Sequence, residues 1–307
     1  MNIAFMGTPE FAVPSLLRLH EAGMTPVVVV TAPDKQRGRG KRVSSMPVKN
    51  AALSLGIPIL QPDSLQDEFF HNTLWAFQPD LIVVVAFRIL PASIISLPHL
   101  GSINVHASLL PKYRGAAPIN WALINGEEET GVTTFFLQES VDTGNIILQE
   151  RIPLTENTTA GELHDILADA GADLLLRTVL LVQEGTASTT QQDEALASAA
   201  PKIHRDTCRL DWNMNARRVH NHIRGLSPTP CAWTMHGEKQ MKMLRSAVVD
   251  EHASGVPGTV LRSDDELHVQ CAEGILSILE AQLQDRKSMS IDALLRGYRI
   301  EQGEMFT

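Results

Sequence analysis

Asn104 and His106 stand two residues apart after Gly101, at the end of what reads as a short strand, so their side chains leave the same face of a sheet. That face carries an amide, which donates hydrogen bonds, and an imidazole, which titrates near pH 6.5 when unperturbed and moves protons at neutral pH. Pro111, Gly115 and Pro118 follow at once and end regular structure, leaving a fixed loop beside the pair. Open α/β sheets place their ligands at such C-terminal strand ends. An N-x-H pair alone is more often a satisfied polar pair, and Asp142 before Gly144 is alone an ordinary turn aspartate. Both gain meaning only with the whole stretch 102–119.

That stretch, SINVHASLLPKYRGAAPI, with VDTG at 141–144, resembles the folate-dependent formyltransferase family. MNIAFMGTPEFA at the start, TAPDKQRGRGKR at 31–42 and APKIHRD at 200–206 carry the resemblance over nearly the whole chain, and it thins after about Trp233. The resemblance implies a catalytic trio of Asn104, His106 and Asp142. It implies 10-formyltetrahydrofolate as formyl donor, and as acceptor the α-amino group of methionine on initiator tRNA. It also places the folate site along Phe87, Arg88, Ile89 and Leu90 and along Ser108, Leu109, Leu110 and Pro111.

The residue types suit that reaction. An amine attacking a formamide-like carbon builds negative charge on oxygen, and a fixed donor such as the Asn104 amide is worth about 100- to 1000-fold in rate. The amine must lose a proton and the leaving nitrogen gain one; an imidazole in that role contributes roughly 100- to 10,000-fold. Asp142 either fixes the His106 tautomer through a hydrogen bond or relays the amine's proton through water. A covalent route has little support: Cys208, Cys231 and Cys271 all lie in the last third, and no GxSxG surrounds Ser108.

The 307 residues, 44% hydrophobic and 20% charged, suit a globular protein of two domains. No CxxC or Cys/His ligand spacing occurs, so no metal site is expected. The absence of a basic leader and of any long apolar run leads us to expect a cytoplasmic protein without a membrane anchor; a monomer is expected. A net charge of −9 speaks against nucleic acid until its distribution is considered. Lys35, Arg37, Arg39, Lys41, Arg42 and Lys49 cluster with Asp34 as the nearest acid. The resemblance implies that this loop, through Lys35, Arg37, Arg39, Lys41 and Arg42, holds the tRNA acceptor end, with Arg42 reaching the 3′ terminus. A relative that formylates an amino sugar on a nucleotide has no need of such a loop.

The elements that must position these residues read as α/β: an open, Rossmann-like, mostly parallel sheet domain over 1–188, a linker at 189–206, and a small OB-like barrel over 207–307. IAFMG (3–7), a helix opened by Thr8-Pro9 and VVVVTA (27–32) form a βαβ unit. The dinucleotide-binding alternative fails because Gly7 stands alone, without GxGxxG. The basic stretch holds too many glycines and charges to form a regular element, which places Gly38 and Gly40 in a mobile loop. LIVVVA (81–86) is a central strand; the Ala86–Pro91 segment after it lacks the glycine that the family carries behind its aromatic residue. VTTFFLQ and NIILQE flank a hairpin-like loop able to fold Asp142 over the site. Thr159 with Glu162 forms a capping box for a helix ending at Gly185. Arg217, Arg218 and Arg224 could line one face of a helix at about 214–224 toward RNA, and the resemblance implies that the barrel contacts tRNA. His220 and His222 fall on opposite sides of that helix, unsuited to a shared metal.

Overall fold

A computed structural model of the protein describes residues 1–37 and 42–307. Along the chain run β1 (Ile3–Gly7), α1 (Val13–Glu21), β2 (Val28–Val30), β3 (Lys35–Arg37), β4 (Arg42–Ser44), α2 (Pro47–Ser54), β5 (Ile59–Leu60), α3 (Glu68–Ala76), β6 (Leu81–Val85), α4 (Ala92–Ile95), β7 (Ser102–His106), β8 (Arg114–Gly115), α5 (Pro118–Ile124), β9 (Glu129–Phe136), β10 (Ile146–Pro153) and α6 (Ala160–Gln183). They are followed by β11 (Ala199–Ala200), α7 (Ala216–Leu226), β12 (Ala232–His236), β13 (Lys239–Ser254), β14 (Val260–Ser263), β15 (Leu267–Gln270), β16 (Glu273–Leu283), β17 (Met289–Ser290) and α8 (Ile291–Gly297). Contacts divide the chain into two compact units: Met1–Gly115, Thr130–Ile152 and His164–Ala199 form one, and Ala116–Glu129, Pro153–Leu163 and Ala200–Thr307 the other. No helix among the described residues is long and apolar enough to cross a membrane.

The first unit holds a seven-stranded sheet in the order β10-β9-β7-β6-β1-β2-β5. The strands from β7 to β5 pair in parallel, and β9 is antiparallel to β7. This is the expected mostly parallel α/β sheet. All five residues of β6 are buried, as a continuous apolar run in a central parallel strand requires. On one face Ala4, Met6, Val28, Val30, Ile82 and Val84 pack with Phe70 and Leu74 of α3 and Ile94 of α4. Val84 pairs with Asn104, so Asn104 and His106 share that face.

The basic stretch does contain regular structure, against expectation: β3 and β4 pair antiparallel, Lys35 opposite Ser44 and Arg37 opposite Arg42. The pairing gives backbone donors and acceptors of the two strands partners in each other. Arg39 and Lys41, together with Gly38 and Gly40, lie outside the described residues.

In the second unit β12-β13-β16-β15-β14 form a sheet with β17 beside β16. Residues 303–307 join its two ends. Gly303 and Phe306 donate backbone hydrogen bonds to Val260 and Gly258, while Thr307 exchanges two with Met235, at 2.8 and 3.0 Å. The sheet thereby closes as the expected barrel around Trp212, Met241, Met243, Val269, Ile278 and Phe306. The Thr159–Glu162 capping box is present, with Glu162 accepting from the Thr159 amide at 2.9 Å and pairing with Arg245 at 2.6 Å. Those two contacts hold its carboxyl down at about 2.

The arginines of α7 need correction. Arg224 is buried and donates to the Asn221 side chain and the Thr155 carbonyl, while Arg217 pairs with Glu156 and Glu251. Seven residues apart, the two share a face that meets acceptors of their own unit, and only Arg218 of the three is exposed.

Candidate active site

The loop after β7 is braced from both sides. Thr133 of β9 donates to Ser108 O at 2.6 Å and accepts from Leu110 N at 3.1 Å, and Gln149 of β10 donates to Leu110 O at 2.8 Å. Ser108 is buried with its hydroxyl on Lys112 O, and Ser198 accepts from Tyr113 N at 2.9 Å. Held this way, Tyr113 adopts φ 64° and turns its carbonyl toward His106. A non-glycine residue in that region costs on the order of 1–3 kcal/mol and persists where its surroundings over-determine it.

His106 is 6% exposed and donates from Nε2 to the Tyr113 carbonyl at 2.8 Å. A carbonyl only accepts, so Nε2 carries the proton, and in the neutral ring Nδ1 bears the lone pair. Nδ1 faces Asp142 Oδ2 at 3.7 Å. That separation is beyond a hydrogen bond. The tautomer is therefore set by a backbone carbonyl, and of the two roles the sequence left open for Asp142 a direct hydrogen bond to the ring is not made here.

Asp142 comes from the loop between β9 and β10. The loop leaves β9 where Phe136 pairs with Ile103, and crosses the sheet face to bring Asp142 beside His106 three residues further along β7. A Cβ on Gly144 would lie 1.6 Å from the Phe136 carbonyl oxygen, so the fold-back needs glycine there. Asp142 itself holds φ 55°, and its Oδ2 accepts from Gly115 N at 2.9 Å. Asn104 is half-buried, and its amide makes no hydrogen bond with another described residue. One face thus presents a free amide, a lone-pair nitrogen and a fixed carboxylate.

Pairing of Val85 with Val105 brings the Ala86–Pro91 segment to the same sheet edge. Ala86 takes φ 48°, and Arg88 is drawn away to donate to Pro62 O at 2.9 Å and Asp63 O at 3.0 Å. Ile89 is left 74% exposed, while Leu90 and Leu110 are buried and Phe87, Leu109 and Pro111 half-buried. The hairpin β3–β4 follows β2 at this edge too.

Two side chains that sequence reasoning passed over also meet here. Gln192, in the stretch read as a linker, bonds the Asp142 loop and Arg114, and Glu194 in first place, through its hydrogen bond, holds the Arg114 guanidinium above its ordinary pKa. Nothing in that polar, alanine-rich stretch signals it. Burial pushes the Cys231 thiol up to about 11 and Cys271 to about 12, which leaves both unreactive at neutral pH. No cluster of three or more His, Cys, Asp or Glu suited to a metal ion occurs among the described residues.

A strand-end amide and imidazole thus stand with a carboxylate brought over them. Residues 1–179 match the model described as "Formyl transferase", and residues 202–299 the model "Formyl transferase, C-terminal domain". The chain belongs to the formyl transferase family.

Among formyl transferases it is 48% identical over 305 residues to a methionyl-tRNA formyltransferase of Caldanaerobacter subterraneus subsp. tengcongensis, covering 99% of each chain. It is 46% identical to one from Chlorobium phaeovibrioides, covering 100% of this chain and 98% of the relative. The fold is shared with WlaRD, a sugar 3N-formyl transferase solved with dTDP and 5-N-formyl-THF, at TM-score 0.69 and 20% identity over 94% of this chain and 99% of that one. It is shared also with HypX from Aquifex aeolicus in complex with tetrahydrofolic acid, at TM-score 0.66 and 17% identity over 100% of this chain and 50% of that one.

Proposed function

We propose that this formyl transferase moves the formyl group of 10-formyltetrahydrofolate to the α-amino group of methionine on initiator tRNA. The observation that carries the reading is 44–48% identity, over nearly the full length of both chains, to methionyl-tRNA formyltransferases.

The residues at the sheet edge fit a folate donor: the Asn104 amide is free to donate, Ile89 forms an exposed apolar lip, and Arg88 is tied back to residues 62–63. When bound, 10-formyltetrahydrofolate supplies the activated formyl carbon. We assign Asn104 to the formyl oxygen, where its donor strengthens as charge develops. His106 is assigned the amine's proton at Nδ1, because Nε2 is committed to the Tyr113 carbonyl, and the same Nδ1 would return that proton to the departing nitrogen as its bond to the formyl carbon breaks. Asp142 then faces the protonated Nδ1, its own position held by Gly115 N. Lys35, Arg37, Arg39, Lys41 and Arg42 are assigned to the phosphates of the acceptor end, and residues 207–307 to further tRNA contact. Such a substrate sets the reaction in the cytoplasm, and we propose that the protein acts as a monomer, which sedimentation would report as one species of 33.7 kDa.

The test mixes the purified protein with 10-formyltetrahydrofolate and methionine-charged initiator tRNA, beside uncharged tRNA and a nucleotide-linked amino sugar. Formyl-methionine from charged tRNA alone is the expected result. Formylation of the sugar instead would overturn the assigned acceptor, and transfer to neither would overturn the transferase reading.

A further inference from the structure

The Asp142 carboxylate is aimed by backbone on a loop whose own conformation is disfavoured. Asp142 holds φ 55°, and its turn must be stabilised from outside itself. Gln192 supplies that stabilisation. It is 5% exposed, and its amide nitrogen donates to Asp142 O at 2.9 Å and to Gly144 O at 2.8 Å, one carbonyl on each side of Thr143. Both N–H donors of the amide are thereby used.

The other end of the same amide is engaged as well. Gln192 Oε1 accepts from Arg114 Nε at 3.1 Å and Nη2 at 2.8 Å. Arg114 is oriented in turn by two bonds of 2.8 Å to the Glu194 carboxylate. Its position in the chain matters: Tyr113, just before it, receives the His106 proton donor, and Gly115, just after it, donates to Asp142 Oδ2. Gln192 therefore joins the segment that fixes His106 to the loop that carries Asp142. A side chain needed only to fill space would not require two donors and a shared acceptor, all satisfied, at this junction.

We infer that Gln192 is a positioning residue for the transfer reaction, acting through Asp142 by locking the Asp142–Gly144 turn to Arg114. It touches no reacting group. The inference rests on the proposed function and adds a residue to it.

Gln192→Met preserves length and volume while removing both donors and the acceptor. The test is a double-mutant cycle with Asp142→Asn, measured as kcat for formylation of methionine-charged tRNA. A misplacement of about 1 Å at a reacting constellation can cost roughly 100-fold, so Gln192→Met is expected to lower kcat by about 10- to 100-fold, with KM for the charged tRNA within about threefold. In the Asp142→Asn background the same change should lower kcat less than about twofold, because a residue that acts through Asp142 has nothing left to position. Equal losses in both backgrounds, or no loss in the wild-type background, would overturn the proposal. Should Gln192→Met fail to fold by circular dichroism, Glu194→Ala is the second variant. It loosens Arg114 from an exposed position, and is expected to give a loss of about two- to fivefold that Asp142→Asn likewise absorbs; a loss that persists in that background, or none in the wild type, would overturn the proposal. Wild-type turnover reports separately on the function. If the wild type formylates a different amine, the cycle is run with that amine and keeps its meaning.

Discussion

His106 in the first unit and His220 in the second are nearly alike up to one atom. Both are buried, at 6% and 3% exposure, and each donates from Nε2 to a backbone carbonyl, that of Tyr113 at 2.8 Å and that of Glu156 at 2.9 Å. They differ at Nδ1. In His220 the Ser246 hydroxyl sits at 3.0 Å and completes the ring's hydrogen bonds; in His106 the Asp142 carboxylate stands 3.7 Å away, too far to bond directly. Burial and a satisfied Nε2 do not distinguish a histidine that holds a fold from one that moves protons. The unsatisfied nitrogen, beside an amide without a partner among the described residues, is what the proposed role of His106 rests on.

The contrast is broken or sharpened most strongly by removing each imidazole. His106→Ala should lower kcat by roughly 100- to 10,000-fold while leaving circular dichroism and donor binding by calorimetry nearly unchanged. Retained turnover would return His106 to the class of His220. Next, Asn104→Ala should cost about 100- to 1000-fold in kcat, read under saturating donor and charged tRNA, since one preorganised oxyanion donor is lost. His220→Ala leaves the Ser246 hydroxyl and the Glu156 carbonyl without their partner, and should destabilise the second unit by about 2–4 kcal/mol in urea titration while the remaining folded protein turns over normally. A loss of turnover without a loss of stability would erase the distinction.

The smallest effect is a pH dependence. Burial first, and the nearby Arg224 and Arg217 charges more weakly, lower the pKa of His220 against the opposing Glu156 carbonyl; burial likewise lowers that of His222 against Thr207. The unfolded histidines, near 6.5, bind protons that the folded ones refuse. The stabilisation is complete above about pH 6.5 and declines as the pH falls below it. The melting temperature should drop from pH 7.5 to pH 5.5, and by less in His220→Gln. A rise over the same interval would mean that the two rings are charged in the fold.

The sheet domain was legible because its strands are apolar runs of a length that only buried parallel strands show, and because Pro and Gly punctuate the loop after His106. Strand alternation put Asn104 and His106 on one face, but only the resemblance of the whole stretch 102–119 singled them out. The Tyr113 carbonyl was not legible, since every residue has a carbonyl and only the positive φ at 113 aims this one. Gln192 was hidden for a related reason: one glutamine in a polar stretch has no periodic pattern, and its partners lie far away in sequence. Arg224 was misjudged because arginine on a helix is usually solvated, and the Asn221 and Thr155 acceptors that bury it appear only once α7 is packed. In the barrel, β13 runs unbroken from Lys239 to Ser254 through several register shifts, where alternation of side chains lapses and the sequence pattern loses its period.

The closing segment of that barrel has one more consequence. Residues 303–307 pair with the outer side of β12 at Met235 and His236 and, through the same short strip, with the outer side of β14 at Val260. Peeling them away would uncover two strand edges in a single event, and exposed edges are templates for pairing with another molecule. A short strip of chain therefore stands between these two edges and pairing with another molecule, and any cleavage or fusion that unseats it should first become visible as light scattering rather than as lost secondary structure.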